Sequence, residues 1–140
     1  MDRNLPEWIA GYVGIPYAKH GRTREGADCW GLIQMIQAEQ MGSAWPQYEG
    51  VDWYDGQKPE TIGASAIRYA SYFRQLGRNE EEQLGDGILL RMRGHPFHVG
   101  MVLTPGWMIH SNEVSGSAIE TYRDGLWNKR VTGIYRYEKE

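Results

Sequence analysis

Apolar positions recur along this chain in two rhythms, one dominating its first half and the other its last third. Cys29, Leu32, Ile33, Ile36 and Gln40 return at three- and four-residue spacing, the stripe of an amphipathic helix. Asp28 stands at the N-cap position and Gly42 just past the end, so the spacing predicts a helix from Cys29 to about Gln40. A shorter helix is expected over about Leu5 to Tyr12, with Asn4 as its cap and Pro6 tolerated in its first turn. A third, opened by Pro59 and closed by Gly77, would carry Ile62, Ala66, Tyr69, Phe73 and Leu76 on one face. Lys19 to Ala27 reads as a polar, glycine-punctuated loop, and Gly42 to Lys58 as an aromatic-rich irregular stretch.

From Gly85 onward the period shortens toward two. Strands are predicted at Gly87–Met92, His98–Leu103, Trp107–Ser111, Ala118–Tyr122 and Val131–Tyr137, separated by turns containing glycine, proline or asparagine. Helices followed by a strand meander make an α+β domain with a mainly antiparallel, five-stranded sheet. At 140 residues the chain, 1–140, is expected to be a single domain.

Register decides what the second and third strands can bring together. His98, Gly100 and Val102 point to one side of a strand, and Val99, Met101 and Leu103 to the other. A three-residue loop, Thr104-Pro105-Gly106, would set Leu103 opposite Trp107 and Gly100 opposite His110. The two histidines would then be diagonal neighbours on one face, with Gly100 leaving space between them. A two-residue Pro-Gly turn would move the register by one and separate them. The local turn chemistry favours the even turn. The need for a helix to pack on one face favours the odd loop or a bulge.

Composition narrows the function classes. The residues are 41% hydrophobic and 24% charged, ordinary for a globular chain. A net charge of −3 argues against nonspecific nucleic-acid binding, which needs a basic face to displace phosphate counterions. No apolar run approaches the roughly 18 residues of a membrane-spanning helix, and the opening residues lack a signal-peptide core. A single cysteine excludes an internal disulfide and fits synthesis in a reducing compartment.

That cysteine is Cys29, at the predicted start of the second helix. A thiolate there faces unpaired amides and the positive end of the helix dipole, which favour the charged nucleophile. With His98 and His110 on later strands, the pattern is that of a nucleophile, a base and a group that orients the base. The plainer reading makes Cys29 a small buried hydrophobe and the histidines satisfied sheet residues. A zinc reading would join His95 and His98 to Cys29 or His110. Pro96 interrupts that spacing, and no second cysteine supports it.

These residues resemble the NlpC-type cysteine peptidases, cell-wall enzymes on a reduced papain-like fold. Gly14-Ile15-Pro16-Tyr17 followed by Gly26-Ala27-Asp28-Cys29-Trp30-Gly31-Leu32 is similar to that family's nucleophile segment. Gly85-Asp86 before a strand, then His98-Val99-Gly100, is similar to its base segment, and Ile109-His110-Ser111 falls where its third polar residue stands. The resemblance implies Cys29 as nucleophile, His98 as base and His110 as orienting residue. It also implies Tyr17 over the site as an oxyanion donor, with Asp28 and Trp30 as neighbouring oxyanion or substrate residues. Hydrolysis of peptidoglycan stem peptides, between D-glutamate and a diamino acid, is the activity implied, with no metal or organic cofactor.

Two departures stand out against that family. Trp30 occupies a position where many members carry serine, and residues 41–84 form a longer insertion, expected to hold the extra helix. Together with the closing Trp127-Asn128-Lys129-Arg130 and Gly133-Ile134-Tyr135-Arg136-Tyr137, they resemble the branch found in phage tails and gene transfer agents. The expected partners are therefore peptidoglycan peptides and tail or particle proteins, with no nucleic acid and no membrane insertion. The expected place of action is the bacterial cell wall, after synthesis in the cytoplasm. A tail-tip structural protein keeping the peptidase fold, or a thiol acyltransferase or deamidase, are the alternatives.

Overall fold

The computed structural model describes residues 4–43, 45, 73–92 and 95–138. The first half begins with a 3-10 helix, Glu7–Tyr12. Pro6, without a side-chain hydrogen bond, stands at its N-cap, so Asn4 does not cap it as expected. The expected loop over Lys19–Ala27 instead folds back as a small hairpin, β1 (Arg22–Thr23) against β2 (Gly26–Ala27). α1 follows over Cys29–Ile36, continues as one π-helical turn through Gln37–Met41, and stops at Gly42 with φ of 62°. A left-handed residue there costs glycine nothing. Leu32, Ile33 and Ile36 are fully buried, while Gln40, assigned to the same stripe by spacing, is exposed. Each of those three aliphatic side chains contributes about 1.5–3 kcal/mol by leaving water.

Among the described residues six strands, not five, form the main sheet. They are β3 (Phe73–Gln75), β4 (Gly87–Met92), β5 (His95–Thr104), β6 (Trp107–Asn112), β7 (Gly116–Thr121) and β8 (Val131–Tyr137). Their order is β3-β8-β4-β5-β6-β7, with every pairing antiparallel. The additional strand is β3, at residues where the third helix was expected to end. Phe73 pairs with Tyr137 and sets its ring against Trp45 and Tyr137, so contacts along the sheet edge override the helical spacing. The rest of that expected helix, and the aromatic stretch beyond Trp45, lie outside the described residues.

The β5–β6 connection resolves the conflict between turn chemistry and register. Pro105-Gly106 is a two-residue turn, with Thr104 opposite Trp107, and a bulge at Leu103 restores the pairing of Gly100 with His110. One extra residue on one strand shifts the register without lengthening the turn.

The sheet has two different faces. On one, α1 packs against Val99, Met101, Leu103 and Ile109, with Ile9, Tyr12 and Ile15 from the N-terminal segment. On the other, Ile88, Leu90, Val102, Met108, Tyr122 and Trp127 form a smaller apolar cluster. Since neighbours along a strand alternate, His98 and His110 belong to this second face. α1 and the two histidines thus lie on opposite faces of the sheet. Among the described residues no helix is long and apolar enough to cross a membrane.

Candidate active site

The segment before α1 is held by hydrogen bonds that leave little freedom. Ala27 donates to the carbonyl of Pro16 at 2.9 Å, and its own carbonyl accepts from Ala18 N at 3.3 Å and from Ser111 Oγ at 3.1 Å. On the far side, Gly14 N donates to Ser117 O, Ser117 N to Ile15 O, and Ser117 Oγ bridges Ile15 N and Tyr12 O. Residues 14–18 are thus strapped between β7 and the approach to Cys29. Tyr17, half-buried, sits within this strap.

Asp28 is fully buried and caps α1 through Gly31 N at 2.7 Å. It also accepts from Arg22 Nη1 at 2.8 Å and from His20 N at 2.9 Å. A carboxylate so enclosed orients the loop and the start of the helix that presents Cys29. Gly31 explains the glycine two residues after the cysteine. A Cβ there would lie 2.0 Å from the carbonyl oxygen of Gly21 and 3.0 Å from Asp28 Oδ1. The Trp30 ring packs inward at 6% exposure, with its centroid 5.4 Å from that of Trp45.

Cys29 is 3% exposed. Burial pushes its thiol up to about 12, against the pull of backbone N–H groups of Val99 and Trp30 that donate to the sulfur. Desolvation outweighs the helix start, so the resting group is a neutral thiol rather than the expected thiolate. The contact with Val99 places the sulfur beside the residue that follows His98.

His98 and His110 lie on one face and join directly, with His98 Nε2 2.8 Å from His110 Nδ1. His98 is 4% exposed and His110 fully buried. The space expected beside Gly100 is filled by Met108, whose sulfur would lie 2.8 Å from a Cβ at that position. Trp127 stacks on His98, with centroids 5.6 Å apart and planes 20° from parallel, and meets His110 edge-on at 4.8 Å. Burial, helped by the neighbouring imidazole, pushes His98 down to about 3. His110 is also lowered by burial, although Glu120 opposes the shift. Both rings therefore rest neutral, and His98 is available to accept a proton.

Sequence reasoning missed Ser111, Ser117, Trp127 and Glu120. Glu120 Oε2 lies 2.6 Å from His110 Nε2. Strand alternation could have found it, because β7 pairs Ala118 with His110 and Glu120 with Met108, which makes Glu120 a diagonal neighbour on the histidine face. Trp127 comes from the turn before β8 and has no periodic signal. Among the described residues, no group of three histidine, cysteine or carboxylate side chains is arranged to hold a metal ion.

Known proteins share this arrangement of the chain. A murein DD-endopeptidase/LD-carboxypeptidase of Escherichia coli K12, MepS, is 27% identical over 136 residues, covering 97% of this chain and 63% of that protein. The gamma-DL-glutamyl hydrolase of Bacillus subtilis 168 is 25% identical over 130 residues, covering 91% of this chain and 27% of that protein. The chain thus spans between about a quarter and two thirds of the length of these relatives. Among solved structures, the NlpC/p60 domain of the peptidoglycan hydrolase SagA superposes with a TM-score of 0.57 at 16% identity, covering 91% of each chain. A Staphylococcus aureus NLP/P60 family protein gives 0.65 at 18% identity, over 100% of this chain and 46% of that one. These likenesses establish the α+β fold, with helices packed on an antiparallel sheet. The model of the NlpC/P60 family matches residues 14–136, and the chain belongs to that family.

Proposed function

We propose that this chain is a cysteine peptidase that hydrolyses amide bonds in peptidoglycan stem peptides, through an acyl-thioester on Cys29. The observation that carries this reading is the His98 Nε2–His110 Nδ1 contact at 2.8 Å, on the strand whose next residue, Val99, packs in one cluster with Cys29. His110 occupies one nitrogen of His98, which leaves Nδ1 to receive the thiol proton. The sulfur attacks the scissile carbonyl carbon as that proton moves to His98. The imidazolium then protonates the departing amine as the C–N bond breaks. Water attacks the thioester with His98 again taking the proton, and the thiol is regenerated with its proton returned. Tyr17 and the backbone N–H of Cys29 hold the oxyanion, a role worth on the order of a hundredfold in turnover per donor.

Because the thiol and imidazole both rest neutral, proton transfer accompanies attack instead of preceding it. The D-glutamyl–diamino acid bond is the proposed target, supported by relatives described as a gamma-DL-glutamyl hydrolase and a murein endopeptidase. The setting proposed is a phage tail or gene-transfer particle opening the wall locally. Its support is Trp30 at the position after the nucleophile and the pattern of the closing strand.

The test incubates the purified chain with defined wall muropeptides in ¹⁸O-labelled water and identifies products by mass spectrometry. The expected product is a D-glutamyl carboxylate carrying one labelled oxygen, beside a free diamino-acid amine. Cys29→Ala should reduce turnover by about a thousandfold or more while keeping the same melting temperature. Full activity in that variant overturns the mechanism. An amine in place of labelled oxygen identifies an acyltransferase, and purified particles lacking the chain remove the proposed setting.

A further inference from the structure

We infer that Glu120 is a positioning residue, which decides through His110 which nitrogen of His98 is free to act as the base. The inference rests on the reading of His98 as the base of a thiol peptidase. It begins from the asymmetry between a carboxylate and an imidazole. A carboxylate only accepts hydrogen bonds, whereas a neutral imidazole donates from one nitrogen and accepts at the other. Glu120 Oε2 lies 2.6 Å from His110 Nε2, so that nitrogen carries the hydrogen. His110 is fully buried and held neutral, which leaves its Nδ1 as a bare lone pair.

The contact from His110 Nδ1 to His98 Nε2, at 2.8 Å, then needs its hydrogen from His98. His98, neutral as well, therefore carries its proton on Nε2 and presents Nδ1 as the acceptor. With the tautomers reversed, His110 would turn a lone pair toward the carboxylate, and His98 would carry a proton on Nδ1. That form cannot take the proton of Cys29. The reversed pair keeps the bond between the imidazoles but sets the His110 Nε2 lone pair against the carboxylate, and that conflict in a buried site is costly enough to select the other arrangement for both rings.

The placement suits this role. The Glu120 side chain keeps 36% of its surface in water while that of His110 keeps none, so charge stays at the rim and only a dipolar chain runs inward. When His98 becomes an imidazolium during turnover, the carboxylate is held in line two hydrogen bonds away and stabilises it without touching substrate.

The experiment reads the ring ¹⁵N shifts of the full chain in the absence of substrate, for the native protein and for Glu120→Ala, Glu120→Gln and Glu120→Asp. In the native chain both His98 and His110 should carry hydrogen on Nε2 only. Glu120→Ala should populate the reversed tautomer at His98 and lower kcat about tenfold to a hundredfold, with KM little changed. Glu120→Gln, which can present either an oxygen or an amide N–H, should fall between them. Glu120→Asp should recover the native tautomers if its shorter arm reaches His110, and kcat should follow the tautomer population across the series. A native His98 protonated on Nδ1, or unchanged tautomers in both Glu120→Ala and Glu120→Gln, overturns the inference. Should Glu120→Ala not fold, the nearly isosteric Gln variant carries the test. Because the shifts need no substrate, native tautomers with no muropeptide cleavage would count against the activity and not against Glu120.

Discussion

The two faces of the main sheet handle burial differently. On the α1 face Val99, Met101 and Ile109 pack in an apolar cluster with the Cys29 side chain, to which the helix contributes Leu32, Ile33 and Ile36, and the buried Gln37 Nε2 reaches the Met101 sulfur at 3.4 Å. On the other face a smaller apolar cluster surrounds two imidazoles joined to each other and to a carboxylate at the rim. The first face fixes position, because its cluster is built largely of apolar side chains around a thiol that burial keeps neutral. The second tunes basicity, because Trp127 and the strands around it remove water from His98. Nucleophile and base thus come from opposite sides of the sheet, Cys29 packed in the cluster that holds Val99 and His98 beneath Trp127 on the other face.

Breaking the helix face should have the largest effect on stability. Gly31→Ala forces a methyl to within 2.0 Å of the Gly21 carbonyl, a backbone atom that cannot swing aside. A loss of about 3 kcal/mol or more is expected, read as a drop in the urea midpoint with an unchanged slope. Gly11→Ala, with nothing within 4 Å of the added methyl, provides the contrast and should lie within about 0.5 kcal/mol of the native chain. Equal effects at the two positions would show that the loop does not clamp α1.

The same division between faces explains what the sequence made legible. α1, its Asp28 cap and its Gly42 stop are local signals, each readable within a few residues. The strands β4 and β8 were predicted with their observed ends, because alternation and turn residues are local too. Bringing His98 and His110 onto one face required a register, and the sequence presented two incompatible ones. The bulge at Leu103 satisfied both, yet no residue type there announces it. β3 was hidden because Phe73 fits a helical stripe equally well, and only pairing with β8, more than fifty residues later, makes it a strand. The thiolate expectation failed for a similar reason. A helix start is visible in sequence, whereas the burial that overrides it is a property of the assembled core.

A smaller effect should appear on the histidine face as pH is lowered. Burial holds His98 at about 3, whereas an unfolded histidine titrates near 6.5. Between those values the unfolded chain binds a proton that the folded one refuses, so stability falls as pH drops through that window. His98→Asn should flatten that part of the curve of melting temperature against pH. At the alkaline end the sign reverses. Cys29, held near 12, keeps its full contribution below about 9 and loses it as pH rises toward 12, a decline that Cys29→Ala should remove. Identical acid limbs for the native chain and His98→Asn would mean that this face is wetter than its contacts indicate.

The smallest effect concerns the ring that makes this face dry. Trp127 is 5% exposed and stacked on His98, yet its indole N–H has no hydrogen-bond acceptor among the described residues. A buried unsatisfied donor costs about 1–3 kcal/mol, so Trp127 gains less stability than its contact area suggests. Trp127→Phe keeps an aromatic ring over the imidazole and removes the orphaned donor, at the expense of some packing. The two changes oppose each other, and stability should stay within about 1 kcal/mol of the native value. The ordinary core penalty for shrinking an aromatic ring should therefore be missing. His98 should remain well below its usual range by NMR titration, since the ring that excludes water is still present. A large destabilisation would mean that the indole N–H is bonded after all. A return of His98 toward 6.5 with stability unchanged would assign the drying of this face to the larger indole specifically, rather than to any aromatic ring stacked there.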